Sequence, residues 1–144
     1  MSDNANAAAA PRRDTAAVME RFLELMPSDV LRAVRETTAD DLTWWVPQSL
    51  GGGVIWRSKA EALERLVVAH KQNFEPGSMV IVKRGATLAS DTHGVAEIKL
   101  AARTVKGKPY DNTYVFVFGF DDAGLINSIR EHMDSKRIVE LMAP

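Results

Sequence analysis

The chain has 144 residues, with 18 Lys and Arg against 19 Asp and Glu, and a formal net charge of −1. Its 46% hydrophobic and 26% charged residues are typical of one soluble globular domain. This near-neutral charge gives no reason to expect nucleic acid or an anionic membrane as a partner. No apolar run approaches the roughly 20 residues of a membrane span. No secretory leader is recognised, so a cytoplasmic location is expected.

Cysteine is absent, which excludes disulfides, thiolate nucleophiles and cysteine-ligated metals. The three histidines, His70, His93 and His132, include no pair with the i, i+4 helix spacing that supports a zinc site. We therefore expect neither a metal nor another cofactor.

The N-terminal part predicts a tail and then a helix. Residues 1–13 have almost nothing to bury and are predicted to form a disordered tail, followed by a single domain over residues 14–144. Asp14 is a plausible N-cap for a helix that runs through Met26, and Pro27 then interrupts it.

Two further helices are predicted in the first half of the chain. Ser28 or Asp29 can cap the second one. Ser58 and Glu61 have the capping-box spacing that begins the third, and His70 lies on its buried side. Between these helices, residues 42–46 are β-branched and aromatic and predict a strand, and the glycines at 51–53 favour a flexible loop.

The second half contains four strand-like runs, at residues 79–84, 94–105, 110–120 and 125–134. Short turns between them indicate an antiparallel meander, and residues 135–142 predict a closing helix. Helices first and a meander last indicate an α+β fold, with helices on one face of a curved sheet. Such a sheet leaves a conical cavity, open at one end, that suits a small apolar ligand.

The last strands carry a family pattern. The sequence YDNTYVFVFGF at 110–120, GLI at 124–126 and REHMD at 130–134 resembles the ending Y-x-N-x-[YF]…F…G-x-I…R-E-x-x-[DN] of the SnoaL-like branch of the NTF2-like superfamily. The superfamily includes ketosteroid isomerase, limonene epoxide hydrolase, polyketide cyclases, phenazine-biosynthesis proteins and lignin-fragment lyases. The resemblance covers about residues 14–142. It implies an NTF2-like cone, whose N-terminal helices pack on a curved antiparallel or mixed sheet, and a homodimer through the outer face of that sheet.

The residues of this chain that correspond to catalytic residues of the family argue against two of these reactions. The general base and the two oxyanion-stabilising residues of the steroid isomerase correspond to Val46, Phe22 and Phe116. None of these side chains can carry that chemistry. The Arg-x-Asp pair of the epoxide hydrolases corresponds to residues 97–99, where the order of charges is reversed. The phenazine-type proteins, by contrast, have a glutamate at the position of Glu131.

Strand alternation predicts which face each residue of the last strand occupies. Glu131 shares a face with Ile129 and Met133, whereas Arg130, His132 and Asp134 lie on the opposite face. We expect Glu131 to point into the cavity, where burial raises the pKa of its carboxyl group and makes it the candidate general base. His132 and Asp134 would belong to the site only if a bulge reversed the facing of the strand.

Other polar candidates lie on the two preceding strands. Lys99 could supply positive charge to a developing oxyanion, or form a structural ion pair with Glu131, and Glu97 could hold Lys99. Asn112 and Tyr114 could hydrogen-bond a substrate oxygen. The expected substrate-binding residues are Trp44, Val46, Phe22, Phe116, Phe118 and Met133, with His70 at the cavity border and Arg103 near the rim.

The expected function is cofactor-independent acid–base catalysis of the lyase, isomerase or cyclase type. Its substrate would be a small hydrophobic, oxygenated cyclic or aromatic molecule, such as a lignin-type aromatic dimer or a polyketide- or steroid-like compound. Two alternatives stay open: a hydrolase similar to limonene epoxide hydrolase, and a small-molecule binding protein without catalytic activity.

Overall fold

A computed structural model describes residues 11–143. Within that range the chain forms the helices α1 (Thr15–Leu25), α2 (Val30–Thr37), α3 (Lys59–Asn73) and α4 (Ser135–Met142). Its strands are β1 (Thr38–Val46), β2 (Gly53–Trp56), β3 (Val80–Ala89), β4 (His93–Arg103), β5 (Pro109–Phe120) and β6 (Ile126–Met133).

The six strands form one mixed sheet in the order β2-β1-β6-β5-β4-β3. Strands joined by short turns pair antiparallel, whereas β1 and β6, which are far apart in sequence, pair parallel. Helices α1, α2 and α3 cover one face of this sheet. The predicted α+β architecture is confirmed.

Side-chain caps set the beginnings of the helices. An Asp14 Oδ1 atom accepts a hydrogen bond from Ala16 N at 3.0 Å, and Ser58 Oγ accepts one from Glu61 N at 3.0 Å. Of the two residues predicted to cap α2, Asp29 does so, because its carboxylate accepts from Arg32 N at 3.0 Å. Each cap satisfies a backbone N–H that the helix itself leaves unpaired.

The glycine-rich segment is more ordered than the predicted flexible loop. Gly51, with a φ of 97°, ends a short 3₁₀ turn, and β2 begins at Gly53. Val46 is opposite Gly53 and Trp44 is opposite Trp56 in the β1–β2 pair. Glycine tolerates the positive φ that this tight reversal requires. The four residues of β2 are too few for alternation to reveal a strand, although they place Trp56 against Trp44.

Most of the predicted N-terminal tail, residues 1–10, lies outside the described residues. Near the start of the described range, the backbone N–H of Arg13 donates a hydrogen bond to Ala123 O at 3.0 Å. Within residues 11–143, no helix combines the length and apolar character needed to cross a membrane.

Candidate active site

A cavity of about 160 Å³ lies between the helices and the concave face of the sheet. It is lined by residues from every layer of the domain: Met26, Val30, Trp44, Trp56, Leu66, Ala69, His70, Asn73, Phe74, Met79, Leu100, Tyr114, Phe116, Glu131 and Ile138. An apolar cavity of about 150 Å³ can hold one benzene ring. The inner cavity is therefore the size of a single six-membered ring.

A second pocket of about 310 Å³ adjoins this cavity. The two spaces share five lining residues, Val30, Leu66, His70, Phe74 and Met79. They are therefore neighbouring compartments that share four apolar side chains and one histidine in their walls. We refer to the second space as the outer pocket.

Glu131 is the only acidic side chain among the cavity-lining residues in the described part of the chain. It is half-buried on β6 and lies opposite Phe116 on β5. The indole Nε1–H of Trp44 donates a hydrogen bond to the Oε2 atom of Glu131 at 2.9 Å. Trp44 is 4% exposed, and Trp56 packs edge-on against it with the ring centroids 5.3 Å apart. One carboxylate oxygen is thus held in place by a rigid aromatic donor.

Burial raises the pKa of the Glu131 carboxyl group, and the hydrogen bond from Trp44 offsets part of that rise. No salt bridge in residues 11–143 joins this carboxylate to a lysine, arginine or histidine. A desolvated carboxylate without a cationic partner binds a proton more readily than an exposed one. This is the property that general-base catalysis near neutral pH requires.

A chain of buried polar groups ends at the cavity. The hydroxyl oxygens of Tyr110 and Tyr114 are 2.6 Å apart, and Asn112 Nδ2 donates to Tyr110 Oη and to the backbone oxygen of Asp134, at 3.0 Å each. Burial raises the pKa of both tyrosines, and the negative charge of Glu131 raises that of Tyr114 further. Both hydroxyls therefore stay protonated and can donate hydrogen bonds.

His70 lies on α3 where the cavity meets the outer pocket. Burial lowers the pKa of its imidazole ring, so the ring is neutral at pH 7. The Phe74 ring packs against it with the centroids 6.2 Å apart. A neutral imidazole at this position can donate or accept one hydrogen bond without bringing a charge into an apolar site.

The sequence matches no protein-family model and no curated protein. Among solved structures, it is similar to an NTF2-like protein of unknown function from Burkholderia pseudomallei, at 16% identity, 90% and 98% coverage of the two chains and a TM-score of 0.76. The chain has an NTF2-like fold. This confirms the fold that the resemblance in the last strands implied.

Two further structures share this NTF2-like cone. TerC, co-crystallised with polyporic acid, is 15% identical, with 88% and 96% coverage and a TM-score of 0.74. A phenazine biosynthesis-related protein from Pseudomonas aeruginosa is 21% identical, with 90% and 86% coverage and a TM-score of 0.72. Identities this low establish the shared fold and leave the reaction of this chain to be argued from its own site.

The prediction that Lys99 and Glu97 belong to the site is wrong. In the β4–β5 pair, Ile98 is opposite Tyr114, and opposed residues of an antiparallel pair lie on the same face of the sheet. Ile98 therefore faces the interior of the cone, and Glu97 and Lys99 are exposed on its outer face. Lys99 can neither pair with Glu131 nor stabilise charge in the cavity. Alternation alone does not reveal which of the two faces is covered by helices.

Four of the predicted substrate-binding residues do not line the cavity: Phe22, Val46, Phe118 and Met133. Phe22 and Phe118 are fully buried and pack edge-on with their ring centroids 5.4 Å apart. They belong to the buried core and not to the cavity wall. Trp44 and Phe116 do line the cavity. For these substrate-binding candidates on strands, alternation predicted the correct face but not whether they line the cavity.

Arg103 and Asn112 also differ from their predicted roles. Arg103 is exposed, lies 3.8 Å from a carboxylate oxygen of Glu75 and donates to the backbone oxygen of Gly107, so it does not line the inner cavity. Asn112 does not line the cavity either. Both hydrogens of its amide group are already donated, to Tyr110 and to a backbone carbonyl.

His132 and Asp134 lie outside the site because no bulge reverses the facing of β6. Its pairing with β5 is regular from Ser128 to Met133. The ring of His132 packs on the outer face, 4.8 Å from the Trp45 ring. Asp134 caps α4 by accepting a hydrogen bond from Lys136 N at 3.1 Å.

The sequence reasoning missed two residues that matter to the site. Tyr110 begins the polar chain behind the cavity, and Trp56 supports the tryptophan that binds Glu131. A signal for Tyr110 was present, because it precedes Tyr114 by four residues on one strand and so shares its face. Trp56 had no such signal, because it lies on the unrecognised strand β2.

Proposed function

We propose that this protein is a cofactor-free enzyme of the lyase, isomerase or cyclase type, with Glu131 as its general base. The observation that carries the proposal is a lone, desolvated carboxylate in the wall of an apolar cavity the size of one ring. A buried acid without an ion-pair partner costs stability, and this cost is typical of functional sites. The NTF2-like fold is compatible with this chemistry but does not specify it.

The first chemical step would be removal of a proton from a carbon next to a carbonyl group. The C–H bond breaks, its proton passes to the Oε1 atom of Glu131, and its electron pair forms an enolate whose oxygen carries the negative charge. Tyr114 lies on the neighbouring strand, diagonal to Glu131 on the same face, and its hydroxyl would donate a hydrogen bond to that oxygen. Trp44 holds Oε2 and orients the carboxylate. Return of the proton to another carbon would complete an isomerisation.

The two compartments limit the shape of the substrate. One ring fits the inner cavity, and a second ring or side chain would extend past His70 into the adjoining outer pocket. Two structural relatives support small cyclic ligands: one was crystallised with polyporic acid, and the other is related to phenazine biosynthesis. We therefore propose an oxygenated cyclic or aromatic substrate, such as a lignin-type dimer or a polyketide- or steroid-like molecule.

Exchange of hydrogen for deuterium tests the proposed base without knowledge of the natural substrate. Acetophenone and 1-indanone in D₂O report α-proton removal by mass spectrometry or NMR. We expect exchange above the buffer rate for wild type, and a loss of about 10²- to 10⁴-fold for Glu131→Gln, which keeps the acceptor for Trp44 but cannot take the proton.

Glu97→Gln is the matched control, because it removes an exposed carboxylate from the outer face of the same sheet. It should exchange at the wild-type rate. Exchange by Glu131→Gln at the wild-type rate would exclude Glu131 as the base. If the wild-type protein bound the ketones without exchanging their hydrogens, it would be a binding protein. If it converted an epoxide to a diol with oxygen from the solvent, it would be a hydrolase.

We further propose that two copies of the chain associate through the outer face of the sheet. A row of paired residues crosses five strands there: Leu88, Val95, Val117, Arg130 and Trp45. Leu88 is 72% exposed, and the Arg130 guanidinium stacks 4.1 Å above the ring of Trp45. A row that is mostly apolar and at least partly exposed is typical of an interface.

Light scattering tests the homodimer. We expect twice the chain mass for wild type and a shift towards monomer for Val117→Glu, which places a charge in the middle of the row. Val68→Glu is the matched control, because Val68 is 47% exposed on α3, away from the sheet. A wild-type chain that is monomeric at all concentrations would refute the proposal.

A further inference from the structure

We propose that Tyr110 is a positioning residue that directs the hydroxyl proton of Tyr114 into the cavity, towards the oxygen of a bound carbonyl compound. This inference rests on the proposed function. It adds a residue that does not itself contact the substrate, and it explains why Asn112 is buried beside the site.

The hydrogen-bond partners favour one direction of donation along this chain of hydrogen bonds. Because Asp134 O is a backbone carbonyl, it can only accept, so the atom of Asn112 that faces it is the amide nitrogen. The second hydrogen of that amide is donated to Tyr110 Oη. Tyr110 is therefore an acceptor towards Asn112, and its own proton is free to be donated.

Tyr114 Oη, at 2.6 Å, is the one acceptor within hydrogen-bond distance of the Tyr110 hydroxyl in residues 11–143. When Tyr110 donates to it, the Tyr114 proton has no protein partner in that range. Because Tyr114 lines the cavity, this proton is available to a ligand there. The order of donation is thus from Asn112 to Tyr110, from Tyr110 to Tyr114, and from Tyr114 to the ligand.

The distribution of aromatic residues along β5 supports a functional role for the two hydroxyls. The chain contains two tyrosines in all, and both are in this chain of hydrogen bonds. The remaining inner-face aromatics of β5, Phe116, Phe118 and Phe120, carry no hydroxyl. Phenylalanine would fill the same space at positions 110 and 114, so packing alone does not account for the tyrosines.

Donation from Tyr110 also makes Tyr114 a better donor. As negative charge develops on a bound oxygen, the Tyr114 hydroxyl is polarised, and the hydrogen bond from Tyr110 stabilises the charge that Tyr114 then shares. Burial raises the pKa of both groups, so each keeps its proton at neutral pH. The pair can thus stabilise an oxyanion without ionising.

Acetophenone labelled with ¹³C at the carbonyl carbon is a suitable probe, since it has one ring and one neutral oxygen acceptor. Its affinity and the carbonyl chemical shift of the bound form are measured by NMR titration. Hydrogen bonding to the oxygen moves this shift downfield, and a merely structural role for Tyr110 would leave the shift unchanged.

We expect Tyr114→Phe to abolish the downfield shift and to weaken binding about tenfold. Tyr110→Phe should reduce the shift and weaken binding about threefold, because the donor remains but is no longer held in position. The double variant should match Tyr114→Phe, since Tyr110 acts through Tyr114. Thr37→Val, which removes a buried hydroxyl from α2, is the control for loss of stability and should leave the shift unchanged.

The outcomes separate this inference from the proposed function. A wild-type shift in Tyr110→Phe, or additive losses in the double variant, would overturn the role of Tyr110 alone. A wild-type shift in Tyr114→Phe, or no binding of acetophenone to wild type, would overturn the proposed oxyanion site as well. If Tyr110→Phe does not fold, ¹³Cζ-labelled tyrosine in wild type gives the answer: both tyrosine signals must move when the probe binds, and movement of one alone would refute the coupling.

Discussion

Charged residues on the two faces of the sheet have opposite environments. On the outer face, Glu97 and Lys99 are exposed to water and do not line the cavity. On the inner face, Glu131 is surrounded by apolar and aromatic side chains and receives one hydrogen bond from Trp44. The outer charges cost little folding free energy because water solvates them, whereas the inner charge is desolvated and lowers stability. The single inner carboxylate is therefore more informative about function than the larger number of outer charges.

The first way to test this comparison uses adjacent residues of β4. Ile98 is 1% exposed on the inner face, and its truncation to alanine should cost about 2–4 kcal/mol of unfolding free energy, because it leaves a cavity in the core. Lys99→Ala should change that free energy by about 0.5 kcal/mol or less. Urea denaturation of both variants provides the measurement. A small cost for Ile98→Ala would contradict the assignment of faces, and a large cost for Lys99→Ala would place Lys99 inside the dimer interface proposed for the outer face.

The second test uses the pH dependence of stability. Because the pKa of Glu131 is raised in the folded state, the folded protein holds a proton that the unfolded chain has already released. Wild type should therefore lose stability relative to Glu131→Gln as the pH rises above the ordinary value of 4.5, up to the pKa of the folded state. Each unit of difference between the two pKa values contributes about 1.4 kcal/mol.

Melting temperatures of wild type and Glu131→Gln between pH 4 and pH 8 check this prediction. Glu97→Gln is again the control, because it removes one exposed carboxylate from the outer face of the same sheet. If Glu131→Gln were less stable than wild type at neutral pH, the carboxylate would be a structural group, and the case for a base retained at a cost to stability would fail.

A third test uses His70, another titratable group of the cavity, and the expected change of stability with pH has the opposite sign. The pKa of His70 is lowered by burial, so the unfolded chain takes up a proton before the folded protein does. Wild type should lose stability relative to His70→Gln as the pH falls through 6.5, the ordinary value of histidine. Urea denaturation of both proteins at pH 7.5 and pH 5.5 measures this difference. Equal pH dependence in both proteins would mean that His70 is solvated.

Local signals were sufficient to predict much of the fold. The caps at Asp14 and Ser58 were predicted because capping depends on residues within one turn of the helix. The inward direction of Glu131 followed from alternation along β6 together with the apolar character of Ile129 and Met133, which share its face. The NTF2-like cone followed from the family pattern in the last strands, which local physics alone would not have identified.

The errors concern quantities that depend on distant parts of the chain. Lys99 was misplaced because the facing of β4 is determined by its register with β5 and by which face the helices cover. Phe118 was predicted to touch the ligand because alternation gives a face but not a depth in the cone. Tyr110 was missed because its role depends on a hydrogen bond to Tyr114 that only the folded strand reveals.

The smallest expected effect comes from the residue next to Glu131. His132 has the chemical properties of a general base and follows Glu131 directly, but its ring packs on Trp45 on the outer face. We expect His132→Ala to leave ketone hydrogen exchange unchanged and to alter the unfolding free energy of the monomer by about 0.5 kcal/mol or less. A loss of exchange equal to that of Glu131→Gln would mean that the strand turns its other face to the cavity in solution. Because β6 pairs regularly with β5 up to Met133, that result would require a shift of one residue along the strand, which would also expose Ile129. Exposure of this core residue makes the shift costly, so we expect the two neighbours to remain on opposite sides of the sheet.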